Sequence, residues 1–390
     1  MGKDMRVGVV GYGLRGSLAK ELHAAENARV VAVCDPSPRA QRDAAQDFPD
    51  AFLTDSLEEL LELELDAALV LTPDEKHAEV ALPLLRAGIP VFCEKPLATS
   101  LEDADAILET AFATGTRLYV GHNMRHMPVI TLMKDLVDQG TIGDVKAVWC
   151  RHFVGHGGDF YFKDWHAERS KSVGLLLQKG AHDIDVIHWL AGEFTEAVQA
   201  VGSLSVYGSI ADRRDRSGER MPDWFSLDNW PPTELKGLNP IIDVEDISQL
   251  NMVLSGGVLA SYQQCHFTPD YWRNYTVIGT KGRLENFGDG PGAKVGIWNR
   301  RHSGQSEPDK EFVVPEATGG HGGADALMVE EFLRFVQEGG ITNTCPVAAR
   351  NSVATGLVAT ASLRGNGCLL SVPPLQQELR DYFAQGQVKK

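Results

Sequence analysis

The feature that most limits the fold is an apolar strand that runs into a glycine turn and out into a helix. Val7-Gly8-Val9-Val10 is a short run of buried-strand type. Gly11-Tyr12-Gly13-Leu14-Arg15-Gly16 follows, and a helical pattern continues from Ser17 to about Ala25. Gly11 suits the tight turn, Gly13 lets the backbone approach a pyrophosphate, and Gly16 lets helix and strand pack closely. The free N–H groups at the helix start then face the phosphates. A glycine turn alone says little, but a second apolar strand, Arg29 to Cys34, ends on Asp35 about 20 residues further on. A carboxylate there accepts from both ribose hydroxyls and repels a 2′-phosphate, so Asp35 favours NAD over NADP. Nearby Arg39 could pair with a 2′-phosphate, and a turn aspartate before Pro36-Ser37-Pro38 is the structural alternative.

Strand and helix patterns go on alternating. Glu58 to about Glu64 reads as helix, Asp66 to Leu71 as a central strand ending in Thr72-Pro73-Asp74, and Lys76 to Ala87 as a helix stopped by Gly88. Ile89 to Cys93 is the next strand, and it delivers Glu94-Lys95-Pro96 at its carboxyl end. A helix from about Leu101 to Thr114 and a strand from Arg117 to Val120 lead into Gly121-His122-Asn123-Met124-Arg125. Such alternation predicts a parallel sheet with right-handed crossovers, so Gly11, Asp35, Thr72 and Lys95 leave from one edge. That is the edge at which open α/β sheets bind ligands. Proline after lysine restricts the backbone, with a cis bond available, and so aims Lys95. Taken alone, Glu94-Lys95 reads first as a solvated surface turn, the usual fate of two adjacent charges.

At 390 residues, 43% of them hydrophobic, the chain can build two cores. Its formal charge of −16 argues against nucleic acid or an anionic membrane as partner, since both require clustered Lys and Arg. The six cysteines are scattered without a C-x-x-C pair, which fits a reducing compartment and indicates neither a zinc knuckle nor a disulfide framework. Met1-Gly2-Lys3-Asp4-Met5-Arg6 enters a strand at once, and no apolar run reaches membrane-spanning length, so the expected location is the cytoplasm.

Taken as a set, the glycine turn, Thr72-Pro73 with His77 behind it, Glu94-Lys95-Pro96 and the run through Gly121, Arg125 and Pro128 resemble the glucose-fructose oxidoreductase, inositol dehydrogenase and MocA family. The match extends over nearly the whole chain. The resemblance implies an α/β fold: a Rossmann domain, placed at 1–123, and a substrate-binding and oligomerisation domain at 124–390 with a large, open, mostly antiparallel sheet. It implies a nicotinamide cofactor contacted by Gly11, Tyr12, Gly13, Leu14, Arg15, Gly16, Asp35, Thr72, Pro73, His77, Glu94, Lys95 and Asn123. It further implies hydride exchange with a sugar, polyol or glycoside, and a homodimer or homotetramer built on the open sheet.

In the second part, Val145 to Val154 reads as a long strand and Gly155 to Asp159 as a loop. Phe160-Tyr161-Phe162-Lys163-Asp164-Trp165-His166 is then either a stacking wall for a sugar ring or a hydrophobic plug. Leu177, Ala181, Ile184 and Ile187 recur at helical spacing, which predicts one amphipathic helix from Ser172 to Leu190. Lys179, His182 and Asp185 recur every third residue and share a neighbouring face of it. By the resemblance, His182 falls on the catalytic histidine position. The candidate catalytic set is therefore Lys95, His182 and Lys179, with Arg125, Trp165 and Asp185 joining them around the substrate. Gln178 stands where many members carry an aspartate; an amide exchanges no protons, which leaves Lys179 to contact substrate. His182, Asp185 and His188, even with Cys265-His266, lack the i, i+4 pairing of helix-borne zinc ligands, so no metal is assigned.

Beyond Leu190 alternating strands predict an antiparallel sheet, interrupted from Gly208 to about Pro240 by a polar insertion. The insertion is expected outside the core, as a lid, an arm onto a neighbouring subunit or a disordered segment. Three functions follow. In the first, an NAD-dependent dehydrogenase, Lys95 polarises the reacting oxygen and His182 takes its proton. The others are a glycosidase or lyase working by transient sugar oxidation and elimination, and a non-catalytic sugar- or NAD-sensing regulator.

Overall fold

The computed structural model describes residues 4–316 and 319–388. Met1-Gly2-Lys3, read above as the approach to the first strand, lies outside them. The chain packs as two compact units, each discontinuous in sequence: Met1–His126 with Gly319–Val353 and Leu375–Lys390, and Met127–Thr318 with Ala354–Pro374. A single cut after residue 123 therefore omits two segments that return to the first unit late in the chain.

The first unit holds a six-stranded, all-parallel sheet of β1 (Met5–Val10), β2 (Ala28–Cys34), β3 (Phe52–Thr54), β4 (Ala67–Val70), β5 (Val91–Cys93) and β6 (Leu118–Val120). Its order is β3-β2-β1-β4-β5-β6, so the direction of winding reverses between β1 and β4, where such folds bind ligands. The central strands β4 and β5 are buried on both faces, which explains their unbroken apolar sequence. Helix ends are marked in sequence. Ser100 accepts from the Asp103 N–H at the start of the Leu101–Thr114 helix, and Gly115 closes it at φ +72.

One layer of this core comes from far away in sequence. The Ala324–Glu338 helix buries Met328, Val329, Phe332 and Phe335 among Val7, Val9, Leu69, Phe92 and Tyr119. Phe332 meets Phe92 edge-on at 5.4 Å between ring centroids. Each such ring contributes about 1.5–3 kcal/mol by burial. Gln387 then bonds both backbone groups of Leu118, at 2.8 and 2.7 Å, and so covers part of the edge strand β6.

The second unit holds a nine-stranded sheet of β7 (Val145–Phe153), β8 (Thr195–Ser203), β9 (Ile247–Leu254), β10 (Leu259–Cys265), β11 (Trp272–Gly279), β12 (Gly282–Phe287), β13 (Lys294–Trp298), β14 (Lys310–Val313) and β15 (Leu370–Ser371). The order is β14-β13-β12-β11-β7-β10-β9-β8-β15, and only β7 and β10 pair in parallel. Alternation along the strands sorts the faces. Val148, Cys150, Tyr262 and Tyr275 are buried on the face carrying the Gly180–Ala191 helix, whereas Trp149 and Leu259 are 50% and 58% exposed on the other.

Two expectations need correction. The helix predicted from Ser172 to Leu190 is three pieces, Arg169–Ser172, Leu175–Gln178 and Gly180–Ala191. Val173 turns left-handed at φ +65 and Arg364 pins that turn by donating to the Val173 carbonyl at 2.8 Å. The polar insertion is also no loose arm, because Tyr207, Trp224, Leu235 and Leu238 in and beside it are buried. Leu235 and Leu238 share a core with Phe162, Leu175 and Val244. Trp224 Nε1 donates to the Asp159 carbonyl at 2.8 Å, and Asn229 Nδ2 reaches both Asp159 carboxylate oxygens at 2.8 and 3.0 Å.

Candidate active-site residues

At the carboxyl edge of the parallel sheet the predicted residues do come together. Gly11, at φ +87, lies so close to the next loop that a Cβ would stand 2.7 Å from the Thr72 nitrogen. Gly13 faces open space, with nothing within 4 Å of a built Cβ. Asp35 follows β2 and its carboxylate accepts from the Tyr12 N–H at 2.7 Å and the Ser37 N–H at 2.8 Å. The acid is thereby held in place with lone pairs remaining for a ribose diol.

The Lys95-Pro96 bond is cis. Around it, His77 is fully buried with Nδ1 2.7 Å from the Pro96 carbonyl and Nε2 3.1 Å from the Thr72 carbonyl. His77 thus ties the loop after β4 to the turn after β5, and its ring nitrogens are engaged within the protein. Glu94 accepts the Lys95 N–H at 2.9 Å, and Arg15 Nε donates to its other oxygen at 2.6 Å. Burial opposes ionisation of Glu94, but the charges of Arg15 and Lys95 and these bonds hold its pKa below the usual carboxylate range. Lys95 itself is half-buried.

Some predicted contacts fall elsewhere. The Tyr12 ring points into the fold, its hydroxyl donating to Asp47 at 2.7 Å and its ring meeting Phe48 edge-on. Arg15 is engaged by Glu94 and Asp325. Arg125 is buried and donates to the Asn343 carbonyl at 2.7 Å, bracing a returning segment of its own unit. Leu14, 56% exposed, and Pro73, also exposed, are by contrast open to a ligand.

In the second unit the Gly180–Ala191 helix carries His182 and Asp185, both buried, and half-buried Lys179 stands at its N-cap rather than inside it. Beneath this helix lies a charged cluster that the sequence reading missed. Asp183 Oδ2 stands 3.0 Å from His152 Nδ1 on β7, and Arg273 Nε on β11 lies 3.1 Å from Oδ1, off the hydrogen-bonding direction. The Tyr275 hydroxyl also donates to Asp183. Burial opposes the Asp183 charge, yet Arg273 and then His152 hold its pKa well below the usual range. Burial first, and Arg273 second, push the His152 pKa down to about 3. The sequence signal was available in His182-Asp183 and in the alternation that turns Arg273 inward. Trp165 is half-buried and stacks on His166 at 3.7 Å, while His166 Nδ1 lies 2.6 Å from Asp164 Oδ1. Among the described residues, no group of three or more His, Cys, Asp or Glu side chains is arranged to hold a metal ion.

Comparison with known proteins identifies the family. Residues 5–122 match a family model described as oxidoreductase family, NAD-binding Rossmann fold, and residues 134–369 match the same family's C-terminal alpha/beta domain. The chain belongs to the Gfo/Idh/MocA oxidoreductase family. A family relative, YteT of Bacillus subtilis, named as an oxidoreductase, is 25% identical over 77% of this chain and 81% of its own length. Inositol 2-dehydrogenase of Gluconacetobacter diazotrophicus is 35% identical over 49% of this chain, which spans only 56% of that relative. In fold, levoglucosan dehydrogenase in complex with NADH superposes with a TM-score of 0.78 at 18% identity, covering 96% of this chain and 100% of the other.

NAD is the cofactor of this Rossmann half, and the residues present fit it. The open space at Gly13 admits a ligand to the backbone, and Asp35 is set for the ribose. At the same edge Thr72 Oγ1 and Asn123 Oδ1 are buried without a hydrogen-bond partner, a cost that a polar ligand would relieve.

Proposed function

We propose that this chain is a reversible NAD-dependent dehydrogenase acting on a hydroxyl-bearing carbon of an unphosphorylated sugar, polyol or glycoside. The observation that carries the reading is the Glu94-Lys95-Pro96 turn, in which Glu94 and His77 hold the backbone on either side of the Lys95 side chain at the ligand-binding edge of the Rossmann sheet. When bound, the nicotinamide ring supplies the hydride acceptor. Lys95 hydrogen-bonds the reacting oxygen and stabilises the negative charge that develops on it. His182 takes the hydroxyl proton, since imidazole titrates near neutral pH. Glu94 orients Lys95 through its backbone N–H. Lys179 holds a substrate hydroxyl, Asp185 accepts from another, and Trp165 offers its ring to the C–H face of a sugar. Gln178 has no proton to exchange, so the proton leaves His182 by another route. A neutral substrate is supported by the state of the buried arginine of the second unit, Arg273, which Asp183 and Asp289 already neutralise.

NADH formation across a panel of sugars, polyols and glycosides tests the proposal. A substrate-dependent rise in NADH is the expected result. Product release from a glycoside without NADH accumulation would establish the elimination chemistry instead, and binding without turnover of any panel member would establish a sensor.

The proposed assembly is a homodimer or homotetramer using the outer face of the nine-stranded sheet, where Trp149, Val201 and Leu259 are at least half exposed. Light scattering on W149E against wild type checks it, with dissociation expected. A cytoplasmic setting is part of the proposal, supported by six cysteines that form no disulfide. Among the described residues no helix is long and apolar enough to cross a membrane.

A further inference from the structure

Arg15 lies inside the glycine turn, where a cation would be expected to meet cofactor phosphate. Its guanidinium is instead gripped by two carboxylates of its own unit. Nε donates to Glu94 Oε1 at 2.6 Å, while Nη1 and Nη2 donate to Asp325 Oδ2 and Oδ1 at 3.1 and 3.2 Å. The second pair is a bidentate fork, the geometry in which arginine and carboxylate bind most strongly. Asp325 is 310 residues away in sequence, in the first turn of the Ala324–Glu338 helix.

Asp325 is itself built in. His321 Nδ1 lies 3.0 Å from Oδ2, and Asn123 Nδ2 donates to Oδ1 at 3.4 Å. Gly320 makes room for it, because a Cβ there would stand 2.5 Å from Oδ2. Burial opposes the Asp325 charge, but the bonds from His321 and Arg15 overcome it and hold the acid ionised well below the usual range. On the other side of Arg15, the remaining oxygen of Glu94 accepts the Lys95 N–H at 2.9 Å. The contacts therefore form a continuous line: Asp325, Arg15, Glu94, and the backbone of Lys95. The line joins the glycine turn after β1 to the lysine turn after β5.

We propose that Asp325 is a positioning residue for the dinucleotide loop and for Lys95, acting through Arg15, which serves as an internal brace rather than as a phosphate ligand. This rests on the proposed function, in which Lys95 acts on substrate beside NAD. Without Asp325 the arginine keeps a single partner, swings toward solvent or phosphate, and leaves both the Gly11–Gly16 turn and Glu94 less firmly held. The Ala324–Glu338 helix is thereby part of the cofactor site although its residues carry no dinucleotide motif.

The test is a double-mutant cycle on NAD affinity, measured by calorimetry without substrate, on D325N, R15A and D325N/R15A, with D325E as the conservative variant. Amide hydrogen exchange of residues 11–16 and the thermal midpoint are followed in parallel. D325N should weaken NAD binding about tenfold, the loss of one charge-assisted pair, and speed exchange in the loop. The double variant should be no weaker than R15A alone, and D325E should recover part of the loss. Multiplicative losses in the cycle, or a D325N protein with wild-type NAD affinity and wild-type loop exchange, would overturn the proposal. If the wild-type chain formed no NADH with any substrate but the cycle still showed coupling, the brace would stand and the dehydrogenase reading would fail. If NAD failed to bind at all, unchanged loop exchange in D325N would overturn the brace separately.

Discussion

Replacing Asp183 by Asn tests how the helix that carries His182 is held on its sheet. The substitution keeps the shape and removes the charge from a carboxylate whose side chain is fully buried. Arg273, also buried, would be left with Asp289 at 3.4 Å as its remaining acid, and His152 and the Tyr275 hydroxyl would lose a charged acceptor. Removing one partner of a buried ion pair costs about 3–5 kcal/mol, most of it from the charge left behind. Because β7 and β11 carry His152 and Arg273 while the helix carries Asp183, the loss should appear as easier opening of the Gly180–Ala191 helix. Native-state hydrogen exchange reads that opening residue by residue. The expected result is a fall of about 3–5 kcal/mol in the opening free energy of amides 182–190, with turnover falling as His182 loses its fixed position. The double replacement D183L/R273M, which removes both charges, should cost less than D183N alone. A loss below about 1 kcal/mol in D183N would refute the reasoning.

Stability should fall as the pH is lowered from about 6.5. The unfolded His152 binds a proton below its ordinary pKa of about 6.5, whereas the folded imidazole waits until about pH 3. Its contribution is therefore complete above that upper value and lost at up to about 1.4 kcal/mol per pH unit on descent. His266 shifts in the same direction, first through burial, and urea midpoints unchanged between pH 7 and 5 would contradict both. Asp35→Ser should weaken NAD about tenfold or more, by removing a charged acceptor from the ribose, while leaving NADP binding equal or stronger. Competitive titration of the two cofactors checks it. Trp224→Ala deletes a buried ring and its bond to the Asp159 carbonyl, at a cost of about 3–5 kcal/mol, so trypsin should cut the variant at Arg213, Arg214 or Arg216 under conditions in which wild type resists.

The parts of this molecule that sequence made legible are those whose chemistry is local. The Gly11–Gly16 turn, Asp35 at the end of β2 and the Glu94-Lys95-Pro96 turn each announce themselves within a strand and the residues that follow it. Two-residue alternation likewise exposed the antiparallel sheet. The rest depends on distant residues. Arg15 was expected only as one contact of the cofactor, since its partner Asp325 lies on a helix far along the chain and no periodicity in either segment points to the other. Asp183 was passed over beside His182 because its value comes from Arg273 and His152 on two strands. The insertion looked solvated by composition, yet a few large apolar groups, Trp224, Leu235 and Leu238, suffice to seat it. The helix predicted through Val173 failed for a tertiary reason, since Arg364 and Glu245 hold the turn that breaks it.

The most direct measurement is single-turnover NADH formation by Lys95→Met, on the panel substrate with the highest wild-type rate, with NAD affinity determined on the same preparation. Loss of the amine that stabilises the developing oxyanion should slow NADH formation by about 100-fold or more, with NAD affinity within about twofold of wild type. A variant that forms NADH within a few-fold of the wild-type rate would contradict the assignment of Lys95 to the reacting oxygen, and with it the proposed mechanism.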